Sequence, residues 1–121
     1  MSSITESDDI MQEIMARHLS IFKGDAGELI LSGKKTVDSR FARRRIPPFE
    51  VVSSGDIVYI KRSGKDIIGQ FKVKRVIFFD FGEIKETARY GTLIFIGESS
   101  RFITSPIKLK KKDSRGWVVL G

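Results

Sequence analysis

The 121-residue chain contains no cysteine and a single histidine, His18. Disulfides need cysteine, zinc sites of the usual kind are built from cysteine and histidine, and a catalytic triad of the serine-hydrolase type needs a histidine. The sequence therefore disfavours disulfide scaffolds, zinc enzymes and classical hydrolases. We expect no metal and no cofactor, and we interpret His18 as a strand-edge residue.

Long hydrophobic runs are also missing. The longest apolar run, around Val76 to Phe79, is far shorter than the ~20 residues that cross a bilayer. No N-terminal stretch pairs a basic start with an apolar run, as a secretory signal does. We therefore expect a cytoplasmic protein with no membrane partner. The length and the 40% hydrophobic content suit one core, so we expect one domain and a monomer.

Acidic residues are scarce outside the N-terminal segment. The chain has 22 Lys and Arg against 15 Asp and Glu, a net charge of +7. Residues 1–15 hold four of the acids and no base, so the remainder carries 22 − (15 − 4) = +11. Such a balance attracts polyanions, which makes RNA, another nucleic acid or a nucleotide the predicted partner. Two alternatives remain open. The basic residues could serve only to keep the protein soluble, or they could form a face that binds an acidic protein.

The same asymmetry predicts the domain organisation. Residues 1–16 are interpreted as an acidic, flexible tail and residues 17–121 as the folded domain. Alternation of apolar and polar residues predicts strands in that domain. They are His18–Phe22, Thr36–Phe41, Ile57–Lys61, Ile67–Phe79, Thr92–Ile96, Ser105–Lys110 and Trp117–Leu120. The alternation in the longest strand breaks at Arg75, which predicts either a β-bulge or strong coiling of that strand.

Two short helices are predicted between strands. The first follows Asp25, where Asp25 and Glu28 have the spacing of a capping box and Gly33 suits a left-handed residue past the helix end. The second runs from Asp80 to Gly91. Because two short helices cannot supply the crossovers of a parallel sheet, the fold class is mainly β (α+β), a small β-barrel of about six to seven strands.

The segment Gly33-Lys34-Lys35-Thr36-Val37-Asp38-Ser39-Arg40 concentrates charge at the exit of the first helix. Strand alternation places Asp38 and Arg40 on one face, close to Lys35. The planar fork of Arg40 can pair with a phosphate or a base edge, with Asp38 accepting from an exocyclic amine or fixing the arginine. The alternative is a structural ion pair that braces the helix–strand corner.

Two basic loops extend this cluster, one within Ala42–Ser54 and one around residues 108–115. Basic loops can hold the backbone of a nucleic-acid strand while a base enters a cleft. The predicted nucleic-acid-binding residues are Lys34, Lys35, Arg40, Arg43, Arg44, Arg45, Lys110, Lys111, Lys112 and Arg115. Trp117, Tyr59, Phe78, Phe79 and Phe95 are interpreted as core residues because they lie in strand patterns.

The charged segment, followed by Gly55-Asp56 before the next strand, resembles the ASCH (activating-signal-cointegrator homology) family of PUA-like barrels. That family typically reads Gly-x-Lys-Thr-x-Glu-x-Arg, and Asp38 stands here where Glu is usual. Thr92-Leu93-Ile94 and Trp117-Val118-Val119-Leu120 resemble the closing part of such domains, so the resemblance covers His18 to Leu120. It implies a PUA-like β-barrel.

The resemblance also implies candidate activities. For the ASCH-like proteins that act as enzymes, the resemblance implies amidohydrolase action on an acylated cytidine. A Lys, a Thr hydroxyl and a distant Glu carry out that reaction. Lys35 matches that Lys, whereas the hydroxyl position falls on Asp38. We therefore predict a nucleic-acid-binding, specifically RNA-binding, module with a basic cleft. The alternative is a small RNA- or nucleoside-processing enzyme, an acylcytidine amidohydrolase or a ribonuclease, with Lys35 and Asp38 as catalytic residues.

Overall fold

The computed structural model describes residues 15–82, 88–105 and 116–120. The described elements are β1 (Arg17–Phe22), α1 (Ala26–Leu31), β2 (Val37–Ala42), β3 (Ile57–Arg62), β4 (Ile67–Asp80), β5 (Tyr90–Arg101) and β6 (Trp117–Leu120). The strands form one curled six-stranded sheet, a half-barrel, in the order β2-β5-β4-β3-β1-β6. The predicted mainly β class is confirmed. None of the described helices is long and apolar enough to span a membrane.

Neighbouring strands are antiparallel with one exception, since β1 and β3 run parallel. The chain leaves β1, forms α1 and β2, and returns to the sheet as β3. The scarcity of helices argued against a parallel α/β sheet, and the sheet is antiparallel except for this one pair. The connection is long enough for a parallel return because it contains a helix, a strand and the 43–56 loop.

Helix α1 ends as predicted but does not begin as predicted. Gly33 has φ +79°, and the N–H groups of Gly33 and Lys34 donate to the carbonyls of Ile30 and Leu29, a Schellman arrangement. Among the described residues, Asp25 makes no side-chain capping bond. The predicted capping box is therefore wrong, and Glu28 instead pairs with Arg101 of β5.

The predicted bulge in β4 is confirmed. The register between β4 and β5 shifts between Phe71 and Val73 and again between Val73 and Arg75. Extra residues on one strand bend a sheet and increase its twist. These shifts therefore help the sheet curl, and the curl brings its end strands β2 and β6 to the same cleft.

Two predicted elements differ from the structure at their ends. Asp80 belongs to β4 and Tyr90 to β5, and the two residues pair with each other. A helix from Asp80 to Gly91 is therefore wrong at both ends, while residues 83–87 lie outside the described residues. Ser105 is not in a strand, and the rest of the predicted strand Ser105–Lys110 lies outside the described residues, as do residues 1–14.

The core lies inside the curl of the sheet. Phe22, Ile30, Val58, Phe71 and Ile94 are buried there, and Trp117, 6% exposed, belongs to the same cluster. The core interpretation of Trp117 is confirmed. A smaller cluster contains Leu19, Tyr59 and Ile67.

His18 is not a strand-edge residue. It belongs to β1, which lies between β3 and β6, and its side chain is fully buried, with Nε2 2.8 Å from Oδ2 of Asp56. Asp56 also accepts hydrogen bonds from the backbone N–H groups of Ala16 and Ser53. Buried polar groups in a protein interior need such partners, so this pair fixes the start of β3 against β1.

Candidate functional site

A cleft with a volume of about 890 Å³ opens where the end strands β2 and β6 face each other. Its walls come from the end of β2, the loop before β3, the start of β5 and β6. The described lining residues are Arg40, Phe41, Ala42, Ile46, Pro47, Pro48, Phe49, Tyr90, Thr92, Gly116, Trp117, Val118 and Val119. Apolar and aromatic side chains dominate these walls, and Arg40 is the only charged residue among the described ones.

Strand β2 places its charged residues inside the half-barrel. Asp38 pairs across the sheet with Ile94 and Arg40 with Thr92, and both partners are buried. Asp38 itself is 5% exposed, and a buried carboxylate is costly unless it is paired. Its Oδ2 accepts from Arg40 Nε at 2.9 Å, and its Oδ1 lies 3.6 Å from Lys35 Nζ. The predicted bracing ion pair is thus present.

Arg40 also ties β2 to β1. Its Nη2 donates to Ser20 Oγ at 2.8 Å and to the carbonyl of Ile21 at 3.1 Å. The guanidinium carbon lies 4.8 Å from the Phe22 ring centre and 5.6 Å from that of Trp117. Hydrogen bonds on two sides and flanking aromatic rings hold the planar group in one orientation.

The remaining nitrogen of Arg40, Nη1, lies beside the cleft. It makes no hydrogen bond with any described residue, and a Cβ built on Gly116 would lie 3.9 Å from it. Gly116 is itself held by Ile21, whose N–H donates to its carbonyl at 3.0 Å. Arg40 therefore presents two oriented, charged N–H donors at the wall of a mainly apolar cleft. Such donors suit a phosphate oxygen or a carbonyl at the edge of a base.

The 43–56 loop is folded onto the sheet and forms another wall. Phe49 is buried, with its ring centre 4.8 Å from that of Tyr90 and 5.5 Å from that of Phe78. Arg45 lies over Phe49 and pairs with Glu50. The hydrogen bond from Arg45 to Glu50 raises the pKa of the guanidinium above its usual value. These contacts hold Ile46 to Pro48 against the cleft, with a cis bond between the two prolines.

The structure brings Lys35, Asp38 and Arg40 together, but of these three only Arg40 lines the cleft. Lys35 and Asp38 lie behind the wall. Arg43 and Arg44 are exposed, follow the cleft residue Ala42 directly, and make no ion pair within the described part of the chain. Arg45 differs, since it is engaged by Glu50.

The other predicted cations divide into two groups. Lys34 is exposed at the exit of α1. Lys110, Lys111, Lys112 and Arg115 lie outside the described residues, so their placement stays a prediction.

Several cleft residues were not predicted from the sequence. Thr92 and Tyr90 lie on β5, some fifty residues from Arg40, and nothing in a local pattern joins them to it. The packing of the loop segment Ile46–Phe49 could have been predicted, because an aromatic residue after two prolines in a basic loop indicates a segment anchored on the core.

The fold and the site define a small curled sheet with an apolar cleft between its end strands and one fixed arginine in that cleft. No protein-family model and no curated protein matches the chain. Solved structures do resemble it, and three are of an ASCH protein from Zymomonas mobilis.

A serine-to-alanine mutant of that protein is 18% identical to the chain, with a TM-score of 0.55 over 70% of each chain. A tyrosine-to-phenylalanine mutant is 19% identical, with a TM-score of 0.53 over 70% of this chain and 71% of that one. A further structure of the protein is 15% identical, with a TM-score of 0.52 over 70% and 69%. The chain therefore has an ASCH-type fold, which confirms the resemblance seen in the sequence.

Proposed function

We propose that this protein binds RNA and holds one nucleotide in the cleft between β2 and β6. The observation that carries the proposal is Arg40, whose guanidinium is fixed by Asp38, Ser20 and Ile21 while Nη1 remains available at the cleft wall. The apolar and aromatic walls accept the flat faces of a base, and Arg40 donates to a base carbonyl or a phosphate.

Cations outside the cleft supply the sequence-independent part of the affinity. Arg43 and Arg44 are exposed next to the cleft residue Ala42 and suit the phosphates on either side of the bound base. Lys34, Lys35, Arg45, Lys110 to Lys112 and Arg115 are proposed to extend this basic surface. The net charge of +7 favours the approach of a polyanion.

The cleft can be tested by filling it. Val119 lines the cleft and is 44% exposed, so Val119→Trp occupies space in the cleft without disturbing the core. We expect this variant to bind short single-stranded RNA at least tenfold more weakly than the unchanged protein, measured by fluorescence anisotropy. Val51→Trp is the matched control, since Val51 is also exposed but lies outside the cleft. Equal affinity of both variants and the unchanged protein would exclude the cleft.

The phosphate contacts can be tested with salt. Arg43→Ala with Arg44→Ala is expected to weaken RNA binding and to reduce the slope of log K against log salt by roughly 0.7 for each phosphate that the variant no longer neutralises. Lys23→Ala with Lys65→Ala removes the same charge at exposed positions elsewhere and should change neither quantity as much. Absent binding, or binding that does not respond to salt, would contradict the proposal.

A second candidate function is hydrolysis of RNA or of an acylated cytidine. The ion pair between Lys35 Nζ and Asp38 Oδ1, 3.6 Å apart, favours it, because an amine beside a buried carboxylate is suited to acid–base chemistry. Lys35→Ala and Asp38→Asn should then each abolish turnover while the circular dichroism spectrum stays native. A folded, unmodified protein that is inert towards a panel of acylated cytidines and RNAs would exclude this activity.

A further inference from the structure

The face of the sheet that points away from the cleft carries an aromatic surface. Phe41, Gly91 and Phe79 lie opposite one another on β2, β5 and β4. Their neighbours Arg40 and Thr92 point into the half-barrel, so these three point outward. Phe41, on the end strand β2, is 57% exposed, and Phe79, on the interior strand β4, is 36% exposed, so both present large apolar side chains to solvent.

Gly91 shapes this surface. A Cβ at that position would lie 2.9 Å from the ring of Phe41 and 3.2 Å from that of Phe81, so the glycine leaves room for both rings to lie over the strand. Phe79 and Phe81 are stacked with an angle of 5° between their planes, and the ring centres of Phe41 and Phe81 are 6.4 Å apart. Phe41, Phe79 and Phe81 form one continuous aromatic platform.

The platform is continuous with the cleft and has cations beside it. Phe41 is also one of the residues that line the cleft, so the platform adjoins the cleft at this position. Arg43 and Arg44 follow Phe41 closely along the chain and are exposed. Arg75 is exposed on the same outer face, further along the ladder between β4 and β5. The exposed rings of Phe41 and Phe79, with cations beside them, suit a single-stranded polyanion with flat bases.

We propose that the aromatic platform stacks the nucleotides next to the one held in the cleft. This inference rests on the proposed function and extends it from one nucleotide to a short single strand that crosses the β2 edge at Phe41. Stacking of a base on an exposed aromatic ring contributes roughly five- to hundredfold in affinity and tolerates any base. The platform therefore lengthens the binding site without adding a sequence preference.

The test compares two ligand lengths on a ring-removing variant. Phe79→Leu keeps an apolar side chain and removes the flat ring. We expect its Kd for an eight-nucleotide RNA to rise about tenfold, while its Kd for nucleoside monophosphates stays that of the unchanged protein. Phe95→Leu is the matched control, because Phe95 lies on the same face but Arg75 covers its ring at 4.5 Å, and this variant should bind both ligands normally.

The outcomes separate this inference from the proposed function. Unchanged affinity of Phe79→Leu for the eight-nucleotide RNA overturns the stacking platform and leaves the cleft intact. An unmodified protein that binds neither ligand overturns the proposed function and the platform with it. Dimerisation in sedimentation that Phe79→Asp abolishes, with RNA affinity unchanged, assigns the face to contact between two copies and also overturns the platform.

Discussion

Arg40 shows how a charged residue is tolerated inside a small β-sheet. A guanidinium has five N–H donors, and Arg40 places one on Asp38, one on Ser20 and one on the carbonyl of Ile21. The two donors that remain belong to Nη1, at the cleft. The contacts that satisfy this partly buried guanidinium therefore also fix the direction of its two remaining donors, so one residue can serve both the structural bracing and the proposed ligand recognition.

Gly69 offers a residue-scale prediction about close packing. A Cβ at Gly69 would lie 2.5 Å from the carbonyl oxygen of Ser100 and 2.8 Å from Leu31. The backbone atom cannot move aside, so Gly69→Ala should lower the free energy of unfolding by about 2–3 kcal/mol. Urea denaturation followed by circular dichroism measures this change.

Gly64→Ala is the control for that experiment. Gly64 has φ +71° but no atom within 4 Å of its built Cβ, so its variant carries only backbone strain, about 1 kcal/mol. A Gly69 variant no less stable than the Gly64 variant would show that the β4–β5 backbones can separate.

Residues of the site could be predicted from the sequence only where they lie close together in one segment of the chain. Alternation along β2 identified Asp38 and Arg40 on one face and Phe41 on the other, because strand geometry fixes these directions. Ser20 and Thr92 could not be found, since their proximity to Arg40 depends on how the sheet curls. The core interpretation is wrong for Phe79 and Phe95, which both lie on the outer face of the sheet. The bulges of β4 change which of its residues face the core, and four successive apolar residues, as in Val76 to Phe79, do not show which of them point inward.

At the scale of elements, helix α1 is joined to β5 by a charged pair. The hydrogen bond from Arg101 lowers the pKa of Glu28 below 4.5. Since the folded value is lower than the unfolded one, this pair stabilises the fold above about pH 4.5 and the contribution is lost as the pH falls through the folded pKa. Both side chains are solvent-exposed, so the effect on unfolding is small and the titration itself is the better readout.

NMR titration of the Glu28 carboxyl carbon tests the pair directly. Arg101→Met should move the pKa of Glu28 up towards 4.5. Arg17→Met removes an exposed arginine elsewhere and should leave it unchanged. An unshifted Glu28 in the Arg101 variant would mean that the pair does not persist in solution.

Elements with a clear local pattern were predictable. Gly55-Asp56 correctly marks the start of β3, and the break at Arg75 correctly marks the bulges of β4. The parallel pairing of β1 with β3 was not predictable, because it depends on a chain return across α1, β2 and a loop. The helix predicted from Asp80 to Gly91 is wrong at both ends, because the spacing typical of helix caps also occurs at the ends of paired strands.

On the scale of the whole molecule, charge and fold carry different information. The ordered spacing of Gly33 to Arg40 and Gly55-Asp56 was enough to predict an ASCH-type fold, and the solved structures confirm it at 15–19% identity. A fold hosts many functions, so the activity has to be argued from the cleft and its arginine. The excess of basic residues then favours a polyanionic ligand, which is why we propose RNA for the cleft.

The opening between the two ends of the curled sheet has a consequence for how the ligand preference of the cleft can change. Between paired strands, the backbone ladder fixes a spacing of about 4.8 Å. Across the opening, the hydrogen bonds between β2 and β1 in the described part of the chain come from the side chain of Arg40 and not from a backbone ladder. The length of the side chain at position 40 therefore sets the width of the opening, and a single substitution can change it. We expect a shorter or longer side chain at position 40 to change the size of the ligand that fits the cleft while the strand pairings of the sheet stay as they are.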